Sequence, residues 1–221
     1  MKFNGVSGMS RTDFEHWQQL WSDLHAAGDP AVWHQRLITA YSESHRHYHN
    51  LQHLDECLHA LDSTRPFAKK PAVVEAALWL HDAVYEPRSS TNEDDSAALG
   101  GTCFSAAGLP STLTDEIRKL ILCTKTHQPD TNADAALLID IDLAILGQPP
   151  SRFLEYERGI RAEYSWVPDA TYAQKRTEIL AGFLCRPAIY RTPYFRDHYE
   201  TSARANLSRA IDALRTQTSG S

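Results

Sequence analysis

The chain has 221 residues, is 42% apolar, 10% aromatic and 23% charged, and carries a formal charge of −6 from 22 basic and 28 acidic residues. That is the profile of a soluble globular protein, and the acidic balance without a basic run argues against a nucleic-acid or anionic-membrane surface. No window approaches the about 20 apolar residues of a membrane span, and no signal-peptide stretch opens the chain, which points to a cytoplasmic protein. At this length folding buries about 70% of the unfolded surface, so a metal would be functional rather than a structural staple. The four cysteines, Cys57, Cys103, Cys123 and Cys185, form no C-x-x-C pair and read as thiols of a reducing compartment.

Apolar spacing is helical along nearly the whole chain. Phe14, Trp17, Trp21 and Leu24 form one stripe behind a capping box of Thr12 and Glu15. Asp29 and Pro30 open a second helix carrying Trp33, Leu37 and Tyr41, and Asn50 caps a third with Leu51, Leu54, Leu58 and Leu61. Pro71 opens a fourth, apolar around most of its circumference and running to about Tyr85, which predicts a central, buried element. Further helices are predicted near 93–107, 113–126, 133–146, 151–165, 169–185 and 193–215, the last two with stripes at Ile179, Leu180, Phe183, Leu184 and at Leu207, Ala210, Ile211, Leu214. No segment alternates with period two. The expectation is an all-α, single-domain helical bundle over 12–214, with flexible termini at 1–11 and 215–221.

Histidine is the unusual residue: eleven in all, five of them (His45, His47, His49, His53, His59) within fifteen positions. His53 falls at the edge of the leucine stripe, whereas His45, His47 and His59 read as surface residues, and Cys57 as a core thiol. His81 and Asp82 interrupt the apolar fourth helix. A carboxylate buried there costs several kcal/mol unless it is paired or binds a cation. Asp140 and Asp142 stand in a second apolar helix, Asp142 with Leu138, Ile139, Ile145 and Leu146 at contact spacing. Taken singly, each piece reads as a core hydrogen bond or a helix end. Together they place His, His-Asp and Asp on three helices predicted to be buried.

The order His53, His81-Asp82, Asp142 resembles the H…HD…D pattern of the HD-domain superfamily, and specifically its bacterial group of predicted metal-dependent phosphohydrolases. The likeness extends over about residues 12 to 214 through Tyr48-His49-Asn50-x-x-His53, Trp79-x-His81-Asp82-x-Val84-Tyr85, Asn92-Glu93, Thr124-Lys125-x-His127, Asp140-x-Asp142-Leu143 and Ile160-Arg161-x-Glu163-Tyr164. It implies His53, His81, Asp82 and Asp142 as metal ligands, Asp142 being preferred to Asp140 because the family's last acid is commonly followed by leucine. Two imidazoles and two carboxylates suit Mn, Fe, Co, Ni or Zn better than Mg. One ion is expected; His127, the only histidine between the His-Asp pair and the last acid, would serve a second.

By the same likeness the implied activity is hydrolysis of a phosphoester or phosphoanhydride, of a nucleotide or other small phosphorylated metabolite, through attack by metal-activated water. Glu93, with Asp94 behind it, would handle that water, and His49 would protonate the leaving oxygen, as in the similar segment of cyclic-nucleotide phosphodiesterases. Arg46, Lys125 and His127 would meet the phosphate; Arg158, Arg161 and Arg204 are weaker options. The competing reading is a non-catalytic nucleotide-binding sensor of the same fold, and beyond it a structural helical module with incidental histidines. No G-x-S-x-G elbow, G-x-G-x-x-G loop or G-x-x-x-x-G-K loop supports serine-hydrolase, dinucleotide or ATP chemistry. Substrate choice would lie with the loops 86–92, 127–132 and 147–152.

Overall fold

The helical periodicity is realised throughout. The computed structural model describes residues 10–127 and 131–219, and its regular elements are α1 (Phe14–Asp23), α2 (Pro30–Tyr41), α3 (Leu51–Thr64), α4 (Pro71–Leu80), α5 (Asn92–Ala106), α6 (Ser111–Cys123), α7 (Ala133–Asp142), α8 (Pro150–Glu163), α9 (Asp169–Leu184) and α10 (Pro193–Ser219). Two 3-10 turns, Arg65–Phe67 and Leu143–Gly147, accompany them, and no strand occurs among the described residues. The protein is all-α. No described helix is long and apolar enough to cross a membrane.

Local chemistry sets the ends of these helices. Asp29 accepts the Ala31 amide at 2.8 Å ahead of Pro30, and Asn50 accepts the amides of Gln52 and His53 at 3.0 and 3.4 Å, as their types predict. The first helix is capped one residue later than expected: Asp13 accepts the His16 amide, while Thr12 is buried and bonded to Ser10. A carboxylate one position on satisfies the same orphan amides, so the Thr12–Glu15 box does not form. The fourth helix stops at Leu80 rather than near Tyr85, because Ser96 takes over both backbone groups of Val84. The seventh gives way after Asp142 to a 3-10 turn instead of continuing to 146.

At the termini, residues 1–9 and 220–221 lie outside the described residues. Ser10 and the Arg11 amide bond to Asp55 at 2.8 and 2.6 Å, the Arg11 guanidinium reaches Asp62, and 215–219 continues α10.

Where the sequence reading treats 12–214 as one domain, chain contacts group into two compact units. The first comprises the residues up to Glu43 and His49–Lys125; the second comprises Ser44–Tyr48 and the chain from Thr126 onward. In the first unit α4 is central, as its uniform apolarity predicts: Val73 to Leu80 are all buried, and α1, α3, α5 and α6 pack against it. Trp17 and Trp79 are fully buried and meet edge-to-face at 5.1 Å. Glu75, the one acid among these residues, is paired with Arg65 at 2.5 Å, and burial still pushes its carboxyl up.

In the second unit α9 and the Leu143–Gly147 turn pack on α10. A Cβ on Gly147 would stand 2.7 Å from Tyr199 Cβ and 2.8 Å from its carbonyl oxygen, so only glycine admits this approach. The short Ser44–Tyr48 segment is strapped to α8. Buried Glu163 accepts the amides of His47 and Tyr48 at 2.9 and 2.7 Å, Tyr48 meets Tyr156 at 4.5 Å, and Gly159 makes room for the His47 carbonyl. The expected stripe of α9 is only partly covered: Leu180 is buried, but Ile179 is 53% exposed.

Candidate metal centre

Three elements of the first unit bring donor atoms together. Asn50 caps α3, so its first turn is rigid and carries His53, which is 2% exposed. His81 is the C-cap of α4 and is 1% exposed, with Asp82 in the turn that follows. That turn is tied down by the Tyr41 hydroxyl, which donates to the Trp79 carbonyl and accepts the Asp82 amide, each at 3.3 Å.

His81 Nδ1 lies 2.6 Å from the Leu78 carbonyl oxygen, which can only accept, so Nδ1 carries a hydrogen and donates it. In the neutral ring Nε2 is then a lone pair, a tautomer common to metal-ligating histidines with a backbone partner. That nitrogen lies 3.1 Å from His53 Nε2 and 3.2 Å from Asp82 Oδ2, and His53 Nε2 is 3.5 Å from the same carboxylate oxygen. Burial alone would raise the Asp82 carboxyl, but the imidazoles of His81, His49 and His53 outweigh it and hold the group well below the usual carboxylate range. With the rings neutral, a carboxylate and an imidazole lone pair face each other at hydrogen-bond distance. Neutral rings leave at most one hydrogen, on His53, to share among them. A cation between the three atoms resolves the repulsion, as does a proton on an imidazole or on the carboxyl.

Cys57, one turn after His53 on α3, has the sequence setting of a core thiol. It is buried, but its Sγ lies 3.8 and 3.9 Å from the two ring nitrogens of His53, and donor atoms of His53, Cys57 and His81 all fall within 4.8 Å of one another. For a tetrahedral ion the edges between donors are about 3.4 Å for nitrogen and oxygen and about 3.6 Å where sulfur takes part. The separations here are close to those values. The group can hold a metal ion, and the i, i+4 spacing of His53 and Cys57 was the available signal for the thiol.

The other expected site residues divide between the units. In the first, the His49 ring stacks on Tyr85 at 4.2 Å with its centroid 6.0 Å from that of His53, beside the donors rather than among them. Glu93 and Asp94 lie in the first turn of α5, where Asp94 holds Lys125 at 2.5 Å; both partners are exposed, and the bond raises the lysine's pKa. Asn92 bridges both backbone groups of Glu86 at 3.0 Å and so fixes the loop before α5.

In the second unit Asp142 ends α7 with its carboxylate 3.1 Å from His127 Nε2. The loop 127–132 is described only in part, since 128–130 lie outside the described residues. Asp140 is fully buried, and its carboxyl accepts the Arg191 and Thr192 amides and the Thr192 hydroxyl. Arg46 is buried within the strap bound to α8. Arg161 and Arg204 are engaged by carbonyls and by Asp169 and Glu200 respectively, and Arg158 is exposed.

His45, His47 and His59 are on the surface, as expected. Tyr41 and Glu163 act on backbone groups distant in the chain, so no local pattern marks either role. Comparison with protein-family models, with curated proteins and with solved structures finds no match to this chain.

Proposed function

We propose that the protein is a metal-dependent phosphohydrolase acting on a phosphoester or phosphoanhydride of a small metabolite. The observation that carries this reading is the convergence of His53 Nε2, His81 Nε2 and Asp82 Oδ2 within 3.1 to 3.5 Å, with His81 held as a lone-pair donor by the Leu78 carbonyl. Asp142 enters as the last ligand, and Arg46, Lys125 and His127 as phosphate-facing groups, on the grounds of their places in the H…HD…D sequence pattern. Two observations favour Asp142 over Asp140: the latter is consumed by backbone amides, and the former sits at a helix end beside an imidazole. Mixed nitrogen and oxygen donors, with a thiol close by, suit Mn, Fe, Co, Ni or Zn over Mg.

A divalent transition ion held there supplies Lewis acidity toward a phosphoryl oxygen and makes water acidic enough to be a nucleophile near neutral pH. The residues around it supply the rest. Glu93, half-buried in the first turn of α5, orients the attacking water and takes its proton. His49, its ring plane fixed by Tyr85, gives a proton to the leaving oxygen. Lys125 exchanges Asp94 for a phosphoryl oxygen when substrate arrives.

Metal analysis of protein purified without chelator is expected to give about one transition ion per chain. The substitutions His81→Ala and Asp82→Asn remove the ion, whereas Glu93→Gln retains it and loses the rate against a panel of phosphate esters. A protein that ignores added Mn, Co and Ni refutes the centre. Metal bound without hydrolysis of any ester refutes the hydrolase and leaves the nucleotide sensor.

A further inference from the structure

The second unit carries an anion-binding surface that the metal centre does not use. A cavity of about 350 Å³ is lined by Arg186, Pro187, Ala188, Tyr190, Arg191 and Arg196. Three arginines thus border one hollow in a protein whose net charge is −6. None of them pairs with a carboxylate among the described residues. Two acids bonded to this segment are already spent, Asp140 on the Arg191 and Thr192 amides and Glu200 on the Ile189 and Tyr190 amides and on Arg204, while Asp197, next to Arg196 in the chain, is exposed. Burial first, and then the charge of Arg191, hold Arg186 below its ordinary pKa, as expected of like charges with no anion between them.

A second hollow of about 600 Å³ adjoins the first and shares Arg186 and Pro187 with it. Its lining is largely apolar, with Ile179, Gly182 and Phe183 from α9. Ile179 is the exposed member of the α9 stripe, and nothing lies within 4 Å of the place where a Cβ on Gly182 would stand. The Arg186 guanidinium lies over the Phe183 ring at 4.5 Å, so the two hollows meet at a cation–π pair. Glu178, the only acid among the described lining residues, is bonded to Lys175 and Gln174.

We propose that this surface binds a phosphorylated small molecule with a planar or apolar body, its phosphoryl groups on Arg186, Arg191 and Arg196 and its body against Ile179, Gly182 and Phe183. Arginine is suited to the anionic end, since its planar fork meets phosphoryl oxygens in pairs. The two volumes fall within the range of small-molecule sites. A phosphate ester of a nucleoside combines both halves. The proposal is independent of the metal centre, and a ligand here would act as an effector or accessory ligand rather than as a group held by the ion.

Titration calorimetry of the full chain with ADP, pyrophosphate and adenosine tests it. ADP is expected to bind more tightly than pyrophosphate, and adenosine least. The double variant Arg191→Ala/Arg196→Ala is expected to weaken ADP and pyrophosphate about 10-fold or more while leaving the circular dichroism and metal content unchanged. Gly182→Leu, which strengthens an exposed helical position while filling the groove, should weaken ADP and spare pyrophosphate. His81→Ala, stripped of its metal, should keep this site, which separates its failure from failure of the metal centre. Absence of ADP and pyrophosphate binding, or binding unchanged in the double arginine variant, overturns the proposal. ADP binding unaffected by Gly182→Leu overturns the apolar half.

Discussion

Replacing Asp140 by alanine removes the fastening between α7 and the start of α10. The carboxyl is fully buried and receives three donors: the Arg191 amide at 2.8 and 3.0 Å to its two oxygens, the Thr192 amide at 2.6 Å and the Thr192 hydroxyl at 2.7 Å. The hydroxyl can rotate to another acceptor, but the amides cannot. A stranded buried donor costs about 1–3 kcal/mol, and because Arg191 is exposed, water reaches one of the two, which sets the expected loss near 3 kcal/mol. For a chain of this length that lowers the melting temperature by about 6–12 °C. Asp142→Asn is the control: isosteric and at a helix end, it is expected to cost less than about 1 kcal/mol. Thermal unfolding followed by circular dichroism reads both. Under the proposed function the same pair also separates the two acids chemically, with Asp140→Ala retaining metal and Asp142→Asn losing it. A melting loss in Asp142→Asn equal to that in Asp140→Ala, or a shift below about 2 °C in the latter, refutes the assignment of roles.

Asp13→Ala removes the α1 cap and is expected to cost about 1 kcal/mol at neutral pH by urea unfolding. Slight burial raises the Asp13 carboxyl, but the His16 amide and ring outweigh it and hold the pKa below the ordinary value. A carboxyl depressed in the folded state adds stability that is present above about pH 3.9 and lost as the pH falls through the folded value, so the gap between variant and parent should close in acid. A gap that widens in acid would contradict this. In the second unit, buried Arg176 donates to both Glu157 oxygens and to the Tyr156 hydroxyl, and Arg176→Ala strands all of them at a cost of about 3–5 kcal/mol. The double variant Arg176→Met/Glu157→Gln should recover part of that loss in the same melt; equal losses in single and double variants would refute the pair as its source.

Much of this protein was legible along the chain because the relevant physics is local. Helical spacing of apolar residues, the caps at Asp29 and Asn50 and the proline starts at Pro30 and Pro71 depend on neighbours within about one turn, and each appears where its chemistry requires. The isolation of His81 and Asp82 in an otherwise apolar segment marked the centre for the same reason, since a buried ionisable pair needs an account wherever the helix packs. The end of α4 and the cap of α1 differ from the local expectation because competing hydrogen-bond partners decide them: Ser96 takes the Val84 backbone groups, and Asp13, not Thr12, accepts the helix-start amide of His16.

What only the tertiary structure decided follows from contacts between residues far apart in sequence. Asp140 and Asp142 are two positions apart in one apolar run, yet the first is a backbone clamp on Thr192 and the second is a carboxylate beside His127. The approach of His53 to His81 and Asp82, 28 and 29 positions further on, is likewise hidden until α3 packs beside α4. The three arginines around one hollow are spread over eleven residues of unremarkable sequence, and only the turn into α10 gathers them. The sequence by itself determined an all-helical chain with a His-Asp pair stranded among apolar residues. Which donors meet, which acids are consumed by amides and which charges are left facing one another were decided by packing, because those outcomes depend on distances that no local rule encodes.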